Sequence, residues 1–155
     1  GIYIHCTTFA KNVLTKKEIC TRCSKYWRGL MSKWFVLLMM LFCHIVDDYN
    51  LQGILASMKQ KEWWKVNAPD DMYKHDYIPA LIAHSFSWAF MIMLPIAIYM
   101  RFHVNVPFVA FIVGNCFVHA VVDNQKANLK QINLIADQTM HLIQIILTFG
   151  GLMLP

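Results

Sequence analysis

The sequence predicts an all-α membrane protein in which four transmembrane helices form a bundle. Of its 155 residues, 57% are hydrophobic and 15% are charged, which is more apolar than a soluble domain normally is. Four apolar stretches have spanning length or nearly so: Met31 to Val46, Tyr77 to Met100, Val104 to Val122 and Asn133 to Leu154. These stretches do not alternate with a period of two, which favours helices over strands.

Residues 1–30 are predicted to be a basic N-terminal extension, and residues 31–155 to be the membrane domain. The extension holds six Lys and Arg side chains and one Glu, whereas the remaining residues hold eight charges of each sign. The neutral membrane domain gives no reason to expect a nucleic-acid partner. Three interpretations of the extension stay open: a segment foreign to the domain, a disordered cytoplasmic arm, or a zinc knuckle built from His5, Cys6, Cys20 and Cys23.

The connection between the first two spans is predicted to be an interfacial amphipathic helix. Its apolar residues recur at roughly helical spacing, while three lysines, Lys59, Lys61 and Lys65, fall elsewhere on its surface. The adjacent Trp63 and Trp64 are typical of the headgroup layer of a bilayer.

Ionisable side chains interrupt the apolar stretches in a regular pattern. Three His/Asp pairs are spaced four residues apart, which places both members on one face of a helix, and one histidine stands alone. They are His44/Asp48, His119/Asp123, Asp137/His141 and His84. With four spans, all seven fall on one side of the membrane, within about 12 Å of depth. Ionisable groups at such depth are usually functional.

Imidazoles and carboxylates together are ligands for a divalent ion such as zinc or manganese. A single His or Asp near a helix end is more often a cap or a hydrogen-bonded core group. Seven such residues in one layer instead predict a metal site, and they exceed what one zinc ion needs. Two ions that share a bridging carboxylate would use them all, with Asp48, Asp123 and Asp137 as candidate catalytic groups. Spacing selects Asp48 over Asp47, which is interpreted as a helix terminus or an outer group.

Several runs resemble a known family in order along the chain. They are HIVDDYNLQ (44–52), a lysine at 59 or 61, His84, HAVVDNQK (119–126) and DQTMH (137–141). Together they resemble small membrane proteins of bacteria and their phages that contain a domain of unknown function. Those proteins are similar in turn to YdjM-like inner-membrane, metal-dependent hydrolases. The resemblance implies a His/Asp metal centre in a multi-pass inner-membrane protein. It also implies that Gln52, Lys126 and Gln138 orient the ligands or contact substrate.

The expected function is therefore a membrane-embedded metal-dependent hydrolase whose site lies near the cytoplasmic face. That orientation follows from the positive-inside rule when charges are counted from Met31, and counting the leading 30 residues reverses it. A lipid-linked phosphoester is the expected substrate class. The alternative is a non-catalytic protein with a structural or transported divalent cation. A haem bundle using His84, His119 and His141 is a third interpretation.

Overall fold

A computed structural model describes residues 32–154 of the chain. The predicted basic extension, and the zinc knuckle that His5, Cys6, Cys20 and Cys23 would form, lie outside the described residues. Helices and turns account for the regular structure of residues 32–154, and this part of the chain contains no strand. The all-α prediction is therefore confirmed there.

Four long helices and two short ones make up this structure. The long helices are α1 (Lys33–Val46), α4 (Tyr77–Tyr99), α5 (Val106–Ala127) and α6 (Leu134–Met153). The short helices are α2 (Leu55–Met58) and α3 (Lys61–Asn67). A π-helical turn, Asp47–Leu51, continues α1, and a 3-10 turn, Asp71–Tyr73, precedes α4.

Two of the long helices begin at asparagine caps. The Oδ1 atom of Asn105 accepts a hydrogen bond from the Phe108 amide at 3.0 Å, and that of Asn133 accepts one from the Ala136 amide at 2.9 Å. Such a cap satisfies an amide that has no partner inside the helix. The helix α5 continues to Ala127, past the predicted end at Val122, and Lys126 in its last turn donates a hydrogen bond to Asp137 of α6.

The long helices form a closed ring in which each packs against two others. Helix α1 contacts α4 and α6, and α5 also contacts α4 and α6. The C-terminal ends of α1 and α5 meet the N-terminal parts of α4 and α6, so successive helices run in opposite directions. The predicted polar residues therefore lie together at one end of the bundle, inside the ring.

Three segments of residues 32–154 are long and apolar enough to cross a membrane: Lys33–Leu51, Asp71–Tyr99 and Val106–Ala127. Helix α6 has 20 residues but is not among them, because Asp137, Gln138 and His141 lower its hydropathy. Large apolar side chains are nonetheless exposed on all four long helices, as is typical of surfaces that contact lipid or a partner. Examples are Leu38, Phe42, Phe86, Phe90, Val113, Phe117, Ile146 and Leu147.

The connection between α1 and α4 differs from the single amphipathic helix that the sequence predicts. It contains two short helices, and the break between them falls at Gln60, whose backbone is extended (φ −101°, ψ 127°). Asn128 at the end of α5 holds this break, since its Oδ1 accepts from the Lys61 amide at 2.7 Å and its Nδ2 donates to the Lys59 carbonyl at 3.1 Å. Lys59, predicted to lie on the surface, is instead buried with 8% exposure.

Candidate metal centre

The first group of candidate ligands forms where α1, α4 and α5 meet. The Nε2 atom of His84 lies 3.1 Å from Nε2 of His119, 3.3 Å from Oδ2 of Asp123 and 3.6 Å from Oδ1 of Asp48. A tetrahedral zinc site with bonds of about 2.1 Å has ligand atoms about 3.4 Å apart. The spacing of Asp48, His84 and His119 therefore allows these side chains to hold a metal ion.

The second group consists of His119, Asp123 and His141, which could also hold a metal ion. The Nε2 atom of His141 lies 3.8 Å from Oδ1 of Asp123 and 3.4 Å from Oδ1 of Asp137. The rings of His119 and His141 stack with centroids 4.2 Å apart. Because Asp123 turns Oδ2 toward His84 and Oδ1 toward His141, its carboxylate faces both groups.

Three buried side-chain atoms of the described residues have no hydrogen-bond partner: Nδ1 of His119, Oδ1 of Asp137 and Nε2 of His141. A buried polar atom left without a partner costs about 1–3 kcal/mol. Two of the three, on Asp137 and His141, face each other at 3.4 Å without forming a hydrogen bond. A cation bound by both atoms would satisfy them together.

His44 lies beside these groups and belongs to neither of them. Its Nδ1 accepts a hydrogen bond from Nε1 of Trp88 at 2.9 Å and lies 3.4 Å from Oδ2 of Asp48. Since Nδ1 is engaged, only Nε2 of His44 is left for a metal. The Trp88 ring also stacks on His119 with centroids 4.3 Å apart, so one indole holds two of the predicted histidines.

Gln52, Lys126 and Gln138 all contact carboxylates of the site. Gln52 Nε2 donates to Asp48 Oδ1 at 3.2 Å, and Lys126 Nζ donates to Asp137 Oδ2 at 2.6 Å. Gln138 Nε2 donates both to Asp137 Oδ2 at 3.1 Å and to Asp48 Oδ2 at 3.3 Å. These contacts fix the directions in which the two aspartates point.

Asp47 lies behind the first group, in the π-helical turn that continues α1. It has 1% exposure and accepts a hydrogen bond from Oγ of Ser87 at 2.7 Å. One of its oxygens lies 3.8 Å from Nδ1 of His84. Asp47 therefore flanks the ring nitrogen of His84 that points away from the ligand group. Single π-helical turns are frequent at functional sites.

A cavity of about 420 Å³ opens directly onto the carboxylates. Asp48, Asp123 and Asp137 line it, together with three lysines, Lys59, Lys126 and Lys130. The Nζ atom of Lys59 donates to Asp123 Oδ2 at 2.5 Å in a buried ion pair. The cavity gives a small polar or anionic molecule a route to the candidate ligands.

The sequence from residue 36 to residue 154 matches the family described as a protein of unknown function, DUF3307. The chain belongs to this family. No curated protein and no solved structure matches the chain. The site of this DUF3307 protein therefore has to be interpreted from its own geometry.

Lys59 and Trp88 contact the candidate ligands of this DUF3307 protein. The periodicity of the sequence does not mark either of them as a site residue. Lys59 lies among other lysines of a short polar segment, and only the family resemblance marked a lysine at 59 or 61. Trp88 lies in an apolar run where it is indistinguishable from a packing residue. Its position four residues after His84, on the same helical face, is the signal that could have identified it.

Proposed function

We propose that this protein is a membrane-embedded metal-dependent hydrolase with two divalent ions bound by His and Asp side chains. The observation that carries the proposal is the pair of adjoining ligand groups, with the Asp123 carboxylate facing both. Nε2 of His141, in the second group, and Oδ1 of Asp137 beside it both lack hydrogen-bond partners, which supports the proposal. Zinc or manganese suits this combination of imidazole and carboxylate.

Each chain group has a distinct part in the proposed reaction. His84, His119 and Asp48 would hold one ion, His141 and Asp137 would hold the other with His44 alongside, and the Asp123 carboxylate faces both places. Bound divalent ions activate water and polarise a phosphoryl or carbonyl centre. Lys59 and Lys126 donate hydrogen bonds to the carboxylates of Asp123 and Asp137 and line the cavity in which the phosphate of the substrate would bind.

The proposed setting is the inner membrane of a bacterium or of a phage-infected cell, with the site near the cytoplasmic face. Helix α6 would be the fourth span, because it completes the ring and exposes apolar side chains as the other three do. The connection that contains α2 and α3 would lie in the headgroup layer over the cavity. This arrangement would match the YdjM-like hydrolases and would give a lipid-linked phosphoester direct access.

Metal content tests the proposal first. The full-length protein, purified in detergent and dialysed against zinc or manganese, should retain about two ions per chain by elemental analysis. The double variant His119→Ala with Asp137→Ala should lose both ions. Replacing the exposed His103 by alanine is the matched control, since this histidine lies outside both ligand groups. Wild-type protein that retains no metal would refute the proposal.

Hydrolysis is measured on the same samples by release of inorganic phosphate from dioleoyl phosphatidic acid and from p-nitrophenyl phosphate. The hydrolase proposal predicts phosphate release that requires the metal and is absent from the double variant. Metal-loaded protein that cleaves neither phosphomonoester in this assay would favour the alternative of a structural or transported cation. A Soret band in the purified protein would favour haem.

A further inference from the structure

A second cavity reaches the metal centre from the side of the bundle, between α1 and α6. It is an open depression of about 590 Å³ lined by Leu41, His44, Ile45, Tyr49, Gln138 and Leu142. Ile45 and Leu142 are 53% and 41% exposed on the outer surface, whereas His44 is 3% exposed. We name this cavity the side groove. It runs from the apolar exterior to a histidine beside the ligand groups.

The side groove adjoins the cavity of about 420 Å³ that Asp48, Asp123 and Asp137 line, which we name the polar cavity. Tyr49 and Gln138 line both, and Gln138 donates to Asp48 and Asp137 in the ligand groups. A different apolar groove, between α5 and α6, has Ile143 and Gln144 among its walls but shares no lining residue with the polar cavity. Of these two grooves, the side groove is therefore the one that shares walls with the polar cavity, so that one molecule could occupy both environments.

The charges in the polar cavity indicate which chemical group would bind there, at the polar end of such a molecule. Lys59, Lys126 and Lys130 balance the three aspartates of the lining, so each divalent ion bound there adds two net positive charges. Lysine ammonium groups and divalent ions together are typical ligands of phosphate oxygens. An anionic phosphate head in the polar cavity thus complements an apolar tail in the side groove.

We propose that the side groove binds the hydrocarbon tail of a phospholipid whose phosphate head lies in the polar cavity. This inference rests on the proposed function, because the bound ions supply part of the charge that attracts the head. The lipid enters laterally from the bilayer, between α1 and α6, and its phosphate reaches the ligand groups past Tyr49 and Gln138. The substrate class is therefore a membrane lipid that carries a phosphate group.

The test measures lipid binding directly, by native mass spectrometry of the metal-loaded full-length protein released from detergent. The probes are dioleoyl phosphatidic acid, which has both the phosphate head and the acyl tails, dioleoylglycerol, which has only the tails, and glycerol 3-phosphate, which has only the head. Leu142→Trp fills the side groove. Ile143→Trp is the matched control, since Ile143 has 44% exposure, close to the 41% of Leu142, and lines the other groove.

We expect phosphatidic acid to bind more tightly than either partial probe. Leu142→Trp should weaken its binding by at least about tenfold, because losing the burial of two methylene groups already costs that factor. Ile143→Trp should leave phosphatidic acid binding unchanged, and Leu142→Trp should leave glycerol 3-phosphate binding unchanged. Lys130→Gln should weaken phosphatidic acid binding, while Lys65→Gln, outside the cavity, should not.

Equal effects of the two tryptophan variants on phosphatidic acid would overturn the inference. So would dioleoylglycerol that binds as tightly as phosphatidic acid, which would indicate nonspecific lipid contact. A change of oligomeric state in Leu142→Trp would assign the groove to a second copy of the chain and would also overturn it. Wild-type protein that retains no metal refutes the proposed function instead, whereas metal-loaded Leu142→Trp with wild-type lipid binding refutes the side groove alone.

Discussion

The buried ion pair between Lys59 and Asp123 gives the sharpest test of the site's electrostatics. Its two charged atoms are 2.5 Å apart, with side-chain exposures of 11% and 4%. At this distance and an effective dielectric constant of about 20, the attraction is about 7 kcal/mol before the cost of removing both charges from water. Lys59→Met removes the ammonium group and keeps a chain of similar length.

We expect Lys59→Met to lower the free energy of unfolding of the metal-free protein by about 3–5 kcal/mol, because the Asp123 carboxylate is then left buried without its cation. Saturating zinc should recover part of the lost free energy of unfolding. A divalent ion beside Asp123 supplies the missing positive charge, and a ligand that binds only the folded state stabilises it. The variant should therefore gain more stability from zinc than the wild type does.

The assay is thermal unfolding in detergent, in the presence of a chelator and of saturating zinc. Lys65→Met is the matched control, since Lys65 forms a similar ion pair with Glu62 at 2.7 Å but both side chains are more than 60% exposed. Solvent screens such a pair, so its loss should leave the midpoint unchanged. If the chelated Lys59→Met protein unfolds at the same temperature as Lys65→Met, the inference that a buried cation holds Asp123 is wrong.

Two further substitutions test packing and hydrogen bonding near the site. Trp88→Phe removes the hydrogen-bond donor to His44 but keeps an aromatic ring, and it should destabilise the protein by about 1–3 kcal/mol. A thermal unfolding midpoint equal to that of the wild type would contradict the 2.9 Å hydrogen bond. Gly151→Ala would place a Cβ atom 2.5 Å from the Phe111 ring, whereas nothing lies within 4 Å of the corresponding position at Gly150. Gly151→Ala should therefore unfold at a lower temperature than Gly150→Ala in the same detergent, by the equivalent of about 1–3 kcal/mol, and the reverse order would contradict the close approach of α5 and α6.

Local spacing in the sequence was enough to predict the helices and most of the polar layer. Apolar runs of spanning length predict helices, and α1, α4, α5 and α6 fall on the four predicted stretches. The i, i+4 pairs predict which histidines and aspartates share a face, because that relation depends only on helix geometry. The structure accordingly places His119 and Asp123, four residues apart on α5, 3.8 Å from one another.

The tertiary structure alone decided which groups complete the site. Lys59 and Asp123 are 64 positions apart in the chain, and His44 and Trp88 are 44 apart. No local periodicity encodes such contacts, because they depend on how the helices rotate and pack around the ring. The same packing selects the two ligand groups, leaves Asp137 and His141 without hydrogen bonds at the facing atoms, and opens the side groove between α1 and α6. Sequence thus determined the elements and their polar faces, whereas the packing of distant elements determined the chemistry available between them.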